Sequence, residues 1–217
     1  MSKIYLYYGT MNAGKSTRII QTSYNYKESG LLPLVIRPAV DNRMGDDNVL
    51  RNRNGFEAPC EILPIDGSLI ELIQDFITRV GYPDVIIIDE IHFLTSRNVE
   101  EINQISLHGI PVLCYGLLLN FLGKEWSTTA AIHAIAEEKH EIRTMCRCGS
   151  KATHVVRYTD DYKVCTSGEE VVVGGNDMYL STCRKCFHKL FYRGYPLNDY
   201  LSKRFSNAER LSIDDFL

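Results

Sequence analysis

The stretch GTMNAGKST, from Gly9 to Thr17, constrains this chain more than any other. It is a complete Gly-x-x-x-x-Gly-Lys-Ser pattern, and such a loop works only between a strand and a helix. The neighbouring sequence supplies both, because Ile4–Tyr8 reads as a strand and Ser16–Glu28 as the helix behind it. Glycines let successive backbone N–H groups curl round an anion, and the helix N-terminus adds partial positive charge. Gly9, Thr10, Met11, Asn12, Ala13, Gly14, Lys15, Ser16 and Thr17 are therefore the expected phosphate-binding set. Lys15 brings a point charge for the outer phosphates of a nucleoside triphosphate, and the Ser16 hydroxyl is the expected magnesium ligand.

A site of this kind needs an acid at the carboxyl end of a neighbouring buried strand, and VIIIDEIHF provides one. Asp84–Asp89, entered through Pro83 and apolar on both faces, reads as a buried parallel strand. Asp89 is the expected second magnesium ligand, and Glu90 is expected to point into the crevice. The plain alternative for Glu90 is a cap on the next helix, a common use of acids at strand ends. Further elements alternate along the chain. A strand is expected at Leu34–Ile36, a polar turn-rich stretch from Pro38 to Gly55, and a helix over Ser68–Val80, where Leu69, Leu72, Ile73, Phe76 and Ile77 recur at helical spacing. A helix over Asn98–Leu107 and a buried strand at Ile110–Tyr115 follow. The alternation predicts an α/β domain over residues 1–140, with a parallel sheet flanked by helices.

Past His140 the texture changes to short β-like pieces between Cys146-x-Cys148 and Cys183-x-x-Cys186. Residues 141–194 are read as a second unit and 195–217 as a tail. The opening MSKIYLYYG runs straight into strand-like sequence, so no signal peptide is expected and the compartment is read as cytosolic. Seven cysteines in such a chain point to reduced thiols and metal rather than a disulfide frame. Two close pairs fit a tetrahedral structural zinc site, with His188 a further candidate because the first pair is unusually tight. A zinc there would staple the base of the excursion between the pairs and leave its tip to act as a lid. Cys60 and Cys114 read as ordinary core thiols. A net charge of -3 gives no electrostatic case for non-specific nucleic-acid binding, and no apolar run approaches the roughly 20 residues of a membrane helix.

Taken in order, GTMNAGKST, DNR at Asp41–Arg43, IDEIHF, CYGLLLNF, the cysteine pairs and VVVGGNDMYLSTCRKC carry a resemblance over roughly residues 3–192. The chain resembles the type II thymidine kinases, the zinc-containing family that includes the vertebrate cytosolic enzyme. The resemblance implies a P-loop NTPase (RecA-like) sheet with a small C-terminal zinc-stapled β lid. It also implies ATP-dependent phosphorylation of the 5′-hydroxyl of thymidine and deoxyuridine, in nucleotide salvage for DNA synthesis. ATP, Mg²⁺ and a structural Zn²⁺ come with it, as does a cytoplasmic homotetramer that binds neither nucleic acid nor membrane. By the same resemblance Glu90 is the general base, and Arg43 and Arg157 face phosphate. Met11 touches the thymine side, Phe93 stacks on the base, and Leu117, Phe121 and Trp126 enclose the thymine methyl. Val172, Val173 and Tyr179 line the base from the lid, with Tyr179 also near the sugar. The chain departs from the family pattern at His92, where Gln is common, at Leu118, where a carboxylate is usual, and at Trp126, which replaces a smaller aromatic. The other reading of these motifs is a P-loop ATPase whose zinc ribbon binds DNA or a protein partner. That reading needs basic and aromatic residues on the ribbon, whereas the segment carries Asp160, Asp161, Glu169, Glu170 and Asp177. A catalytically dead nucleotide sensor is disfavoured because Asp89 and Glu90 are both present.

Overall fold

The computed structural model describes residues 3–40, 47–170 and 178–202. Arg43, Val172 and Val173 lie outside the described residues. The first half runs β1 (Ile4–Gly9), α1 (Lys15–Glu28), β2 (Pro33–Pro38), β3 (Val49–Arg51), β4 (Glu57–Pro59), β5 (Glu61–Leu63) and α2 (Leu69–Arg79). Next come β6 (Val85–Ile88), a 3₁₀ turn at Ile91–Phe93, α3 (Ser96–Leu107), β7 (Val112–Gly116), α4 (Ser127–Ile135) and β8 (Glu138–Ile142). The last part is β9 (His154–Arg157), β10 (Tyr179–Thr182), α5 (Arg184–Phe191) and α6 (Leu197–Ser202).

Six strands form one sheet in the order β5-β2-β6-β7-β1-β8, every pair parallel. The VIII run of β6 shows why the sheet is central. Ile86 and Ile88 face a core with α2, α3 and α4, while Val85 and Ile87 face one with Ile19 of α1 and Leu50 of the β3–β4 hairpin. Successive side chains of a strand alternate faces, so a strand apolar throughout must be covered on both sides. Tyr7 carries an aromatic row across the sheet, stacked on Tyr115 of β7 at 4.6 Å and on His140 of β8 at 4.9 Å. No helix among the described residues is long and apolar enough to cross a membrane.

The sheet extends through β8, which pairs with β1 as far as Ile142 opposite Gly9. The sequence EKHEI escapes strand recognition because β8 is an edge strand with no fully buried residue and no apolar alternation to betray it. Past Tyr195, Leu197 and Tyr200 are buried against Cys146, Phe187 and Leu190. The metal-site unit is thus an antiparallel β9–β10 pair with two helices and a small core of its own, more than a stapled loop. Cys60 and Cys114 are buried core thiols as expected, and burial pushes the Cys114 thiol well above its ordinary range.

Helices α2 and α3 are locked by one buried carboxylate. Glu101 accepts from the Ser68 hydroxyl at 2.7 Å, the Leu69 N–H at 2.8 Å and the Asn98 amide at 3.1 Å, with Arg97 at 3.1 Å. Burial raises its pKa, but the Ser68, Asn98 and Leu69 hydrogen bonds and the Arg97 charge outweigh this and hold the carboxyl below the usual range. With the folded pKa below the unfolded one, the stabilisation is complete above the unfolded value of about 4.3 and is lost as pH falls through the folded value. Glu101→Gln should cost about 1–3 kcal/mol in urea unfolding at pH 7. The gap to wild type should narrow as the pH drops below about 4.

Candidate active site

Parallel strands place their carboxyl ends on one rim, and the chemistry collects there. β1 ends at Gly9, where an added Cβ would stand 2.6 Å from the Ile142 carbonyl oxygen, so glycine is required by the neighbouring strand. Gly14 is the N-cap of α1 at φ 88°, a left-handed conformation that glycine adopts without strain. No side chain caps α1 and no acid occupies its first turn. Its leading N–H groups are thus left to an anionic ligand. Lys15 is buried and its ammonium donates to the Thr10 carbonyl at 3.2 Å, folding back over the loop.

The Ser16 hydroxyl lies 3.3 Å from Asp89 Oδ2, joining two residues far apart in sequence. A hydroxyl and a carboxylate converging beside a phosphate loop are the hard oxygen donors that Mg²⁺ prefers, so this pair fits the expected ion. The other Asp89 oxygen, Oδ1, accepts from the Glu90 N–H at 2.9 Å. Glu90 has φ 46° and ψ 46° and is buried, a left-handed geometry that a non-glycine residue holds only under constraint. It heads the 3₁₀ turn without a side-chain capping bond, so the capping alternative is not what the geometry shows. Its Oε2 stands 3.5 Å from Nδ1 of buried His92. The His92 ring packs on Phe93 at 4.2 Å and Trp126 at 5.0 Å, and Phe93 meets Trp126 at 5.9 Å with their planes nearly perpendicular.

The remaining expected substrate residues come from three places. Leu117 and Phe121 follow β7 and are buried, and the Leu117 N–H donates to His92 Nδ1 at 3.4 Å. Met11 and Tyr179 are half-buried, in the phosphate loop and at the start of β10. Arg157 is committed within the metal-site unit. It donates to the Glu169 carbonyl at 2.8 Å, and its guanidinium lies 3.8 Å from the Phe121 ring centroid. Asn120 donates to Glu170 at 3.0 Å, a second tie between the post-β7 loop and the lid arm. The contact of Arg157 with Phe121 gave no sequence signal, because these residues were expected separately, at phosphate and at the thymine methyl, and meet only after folding.

The four expected zinc ligands are assembled. The sulfur atoms of Cys146, Cys148, Cys183 and Cys186 all lie within 4.8 Å of one another, and Cys148 and Cys183 are 3.7 Å apart. Tetrahedral zinc with Zn–S near 2.3 Å sets its sulfurs about 3.8 Å apart, so the cluster fits the ion. His188 is not part of this group. Burial raises the Cys148 thiol, but Ser150 and the Cys146 and Cys186 sulfurs outweigh it and bring it to about 6. Burial pushes Cys186 up to about 12. The Tyr200 hydroxyl lies 3.3 Å from Cys146 Sγ, placing α6 directly behind the ligand set.

A family model described as thymidine kinase matches residues 2–187. The thymidine kinase of Shewanella oneidensis is 38% identical over 193 residues, covering 88% of this chain and 100% of that one. That of Rhizobium etli is 40% identical over 186 residues, covering 85% and 92%. That of Rhodopirellula baltica is 37% identical over 194 residues, covering 89% and 91%. Among solved structures, the flagellar accessory protein FlaH of Methanocaldococcus jannaschii aligns with 15% identity over 64% of this chain and 70% of that one. Its TM-score of 0.40 is too remote a likeness to bear on the site.

Elemental analysis of the purified chain should find one zinc per chain. Removing a hydrogen-bond partner of a metal ligand typically weakens metal binding by about 10–100-fold. Tyr200→Phe should therefore lose zinc to a competing chelator more readily by a factor in that range, while His188→Ala should retain it.

Proposed function

The chain belongs to the thymidine kinase family and catalyses the ATP-dependent phosphorylation of thymidine in nucleotide salvage, and from that premise we propose how its residues divide the work. ATP places its outer phosphates in the Gly9–Thr17 loop, against the leading N–H groups of α1 and the Lys15 ammonium, with Arg43 at the same phosphates. Ser16 and Asp89 would hold Mg²⁺, which would supply positive charge beside the phosphates during transfer. Glu90 takes the proton of the 5′-hydroxyl while the 5′-oxygen bonds to the γ-phosphorus. The bond from that phosphorus to the β–γ bridging oxygen breaks, leaving ADP and thymidine monophosphate. A carboxylate is a weak base, but positioning and charge neutralisation supply most of the acceleration in phosphoryl transfer.

What supports this division most is the 3.3 Å contact of Ser16 with Asp89, which puts Glu90, the next residue, beside the phosphate loop. Phe93 stacks on the base, Leu117, Phe121 and Trp126 surround its methyl group, and Met11 and Tyr179 close the site. Val172 and Val173 offer backbone donors and acceptors to the base edge. Zinc is structural, held by Cys146, Cys148, Cys183 and Cys186. A cytoplasmic homotetramer, and the division into residues 1–140, 141–194 and 195–217, belong to the same reading. Against the DNA-binding alternative stand the exposed acids Asp160, Asp161, Glu169 and Glu170 on the ribbon.

Glu90→Gln keeps the shape of the side chain and removes the proton acceptor. It should bind ATP as wild type does and lose about 10²–10⁴-fold in kcat, the usual range for a missing general base. Near-normal turnover would remove Glu90 from that role.

A base edge read by fixed backbone groups suits O4 and N3–H of thymine or uracil and mismatches the amino edge of cytosine. Buried polar groups left unpaired reject a substrate more strongly than a missing methyl does. In competition, deoxyuridine should be phosphorylated with a loss of about 1–3 kcal/mol in kcat/KM. Deoxycytidine should be turned over very poorly, and equal use of deoxycytidine and thymidine would refute recognition by the lid.

A further inference from the structure

The Ser181 hydroxyl donates to the Met11 carbonyl at 2.6 Å. This bond crosses from β10 of the metal-site unit to the middle of the phosphate loop, and neither the resemblance nor the motif assigns it a role. A trans peptide is planar, with its C=O and N–H pointing in opposite directions. Fixing the Met11 carbonyl toward β10 therefore turns the Asn12 N–H away from β10. Asn12 is left-handed at φ 62° and Gly14 at φ 88°, and such alternations of backbone hand gather successive N–H groups into an anion-binding concavity. We propose that Ser181 is a positioning residue for phosphoryl transfer, which holds the Met11–Asn12 peptide so that the Asn12 N–H faces the nucleotide phosphates.

The placement of Ser181 gives this brace a second consequence. Ser181 pairs with Val155 in β9, and two residues on, Cys183 enters the four-sulfur cluster. Two residues before it, Tyr179 lies on the same face of β10, because side chains alternate along a strand. One strand and the residue that follows it thus carry the nucleoside contact, the phosphate-loop contact and the metal anchor. Occupation of the nucleoside site at Tyr179 steadies the strand that orients the loop, so thymidine tightens the binding of ATP through Ser181. By linkage, ATP tightens thymidine by the same factor.

This inference rests on the reading that ATP phosphates occupy the Gly9–Thr17 loop. Titration of the zinc-loaded, full-length chain with a non-hydrolysable ATP analogue and Mg²⁺, with and without thymidine, separates the two. Ser181→Ala should weaken the analogue about five-fold, the effect of one lost hydrogen bond, and abolish its tightening by thymidine. Thymidine binding alone, zinc content and melting temperature should stay at wild-type values. Ser181→Thr, which keeps the hydroxyl, should restore both analogue affinity and coupling. If Ser181→Ala fails to fold or loses zinc, Ser181→Cys preserves volume with a weaker donor and carries the same expectation. Lys15→Ala is the control for the underlying reading and should lose analogue affinity. A Lys15→Ala chain that binds the analogue normally overturns the loop reading and the brace together. Loss in Lys15→Ala with unchanged affinity and coupling in Ser181→Ala overturns the brace alone, as does a Ser181→Thr chain as weak as Ser181→Ala.

Discussion

The parallel pairing of β1 and β6 on either side of β7 is the constraint from which the rest of the structure follows. Leu6, Cys114 and Ile88 stand in one row across these strands, and both outer strands leave the sheet at the same rim. The chain departs from β1 as the phosphate loop and from β6 as Asp89 and Glu90. Were β6 antiparallel, its acids would sit at the far edge, on the order of 13 Å away at about 3.3 Å per residue. Parallel pairing in turn requires a long crossover between paired strands, through the β3–β4 hairpin for β2 and β5 and through helices elsewhere, and apolar cover on both faces. The two cores built on alternate residues of β6 meet that requirement.

The rim concentrates charge that would otherwise be costly to bury. Lys15, Asp89 and Glu90 are each less than a tenth exposed. Buried charges persist only when neighbours satisfy them. Here the Thr10 carbonyl receives Lys15, while the Ser16 hydroxyl and the Glu90 N–H meet the two oxygens of Asp89. The left-handed backbone at Glu90 is part of the same arrangement, since it turns the chain sharply from strand to 3₁₀ turn directly after Asp89. Strain of this kind survives where the surroundings over-determine the geometry, as the packing of His92 between Phe93 and Trp126 does.

The metal-site unit stands apart in composition but not in mechanics. Its small core is completed by Leu197 and Tyr200 from α6, and it reaches back to the sheet domain through Ser181 on Met11, Arg157 on Phe121 and Glu170 on Asn120, among other contacts of the described residues. A tetrahedral ion at the base of such an arm contributes folding free energy where the apolar core is too small to do so alone.

The phosphate loop, the acidic pair, the buried strands and the two cysteine pairs were legible in the sequence. Each depends on local chemistry, whether loop glycines, an apolar run of strand length or close thiol spacing, and local chemistry is written residue by residue. The strand EKHEI was not legible, because an edge strand has one unpaired side and needs no apolar signature. Nor was the role of Tyr200, whose hydroxyl meets Cys146 from beyond the expected domain boundary. The choice among sulfur and imidazole ligands stayed open until folding brought four sulfurs within 4.8 Å without His188. By itself, then, the sequence determined which groups are expected to handle phosphate, metal and proton. Only the tertiary structure decided that Ser16 meets Asp89, that Arg157 lies on Phe121 and that Ser181 holds Met11. Contacts between residues distant in the chain depend on strand order and register, which no local pattern encodes.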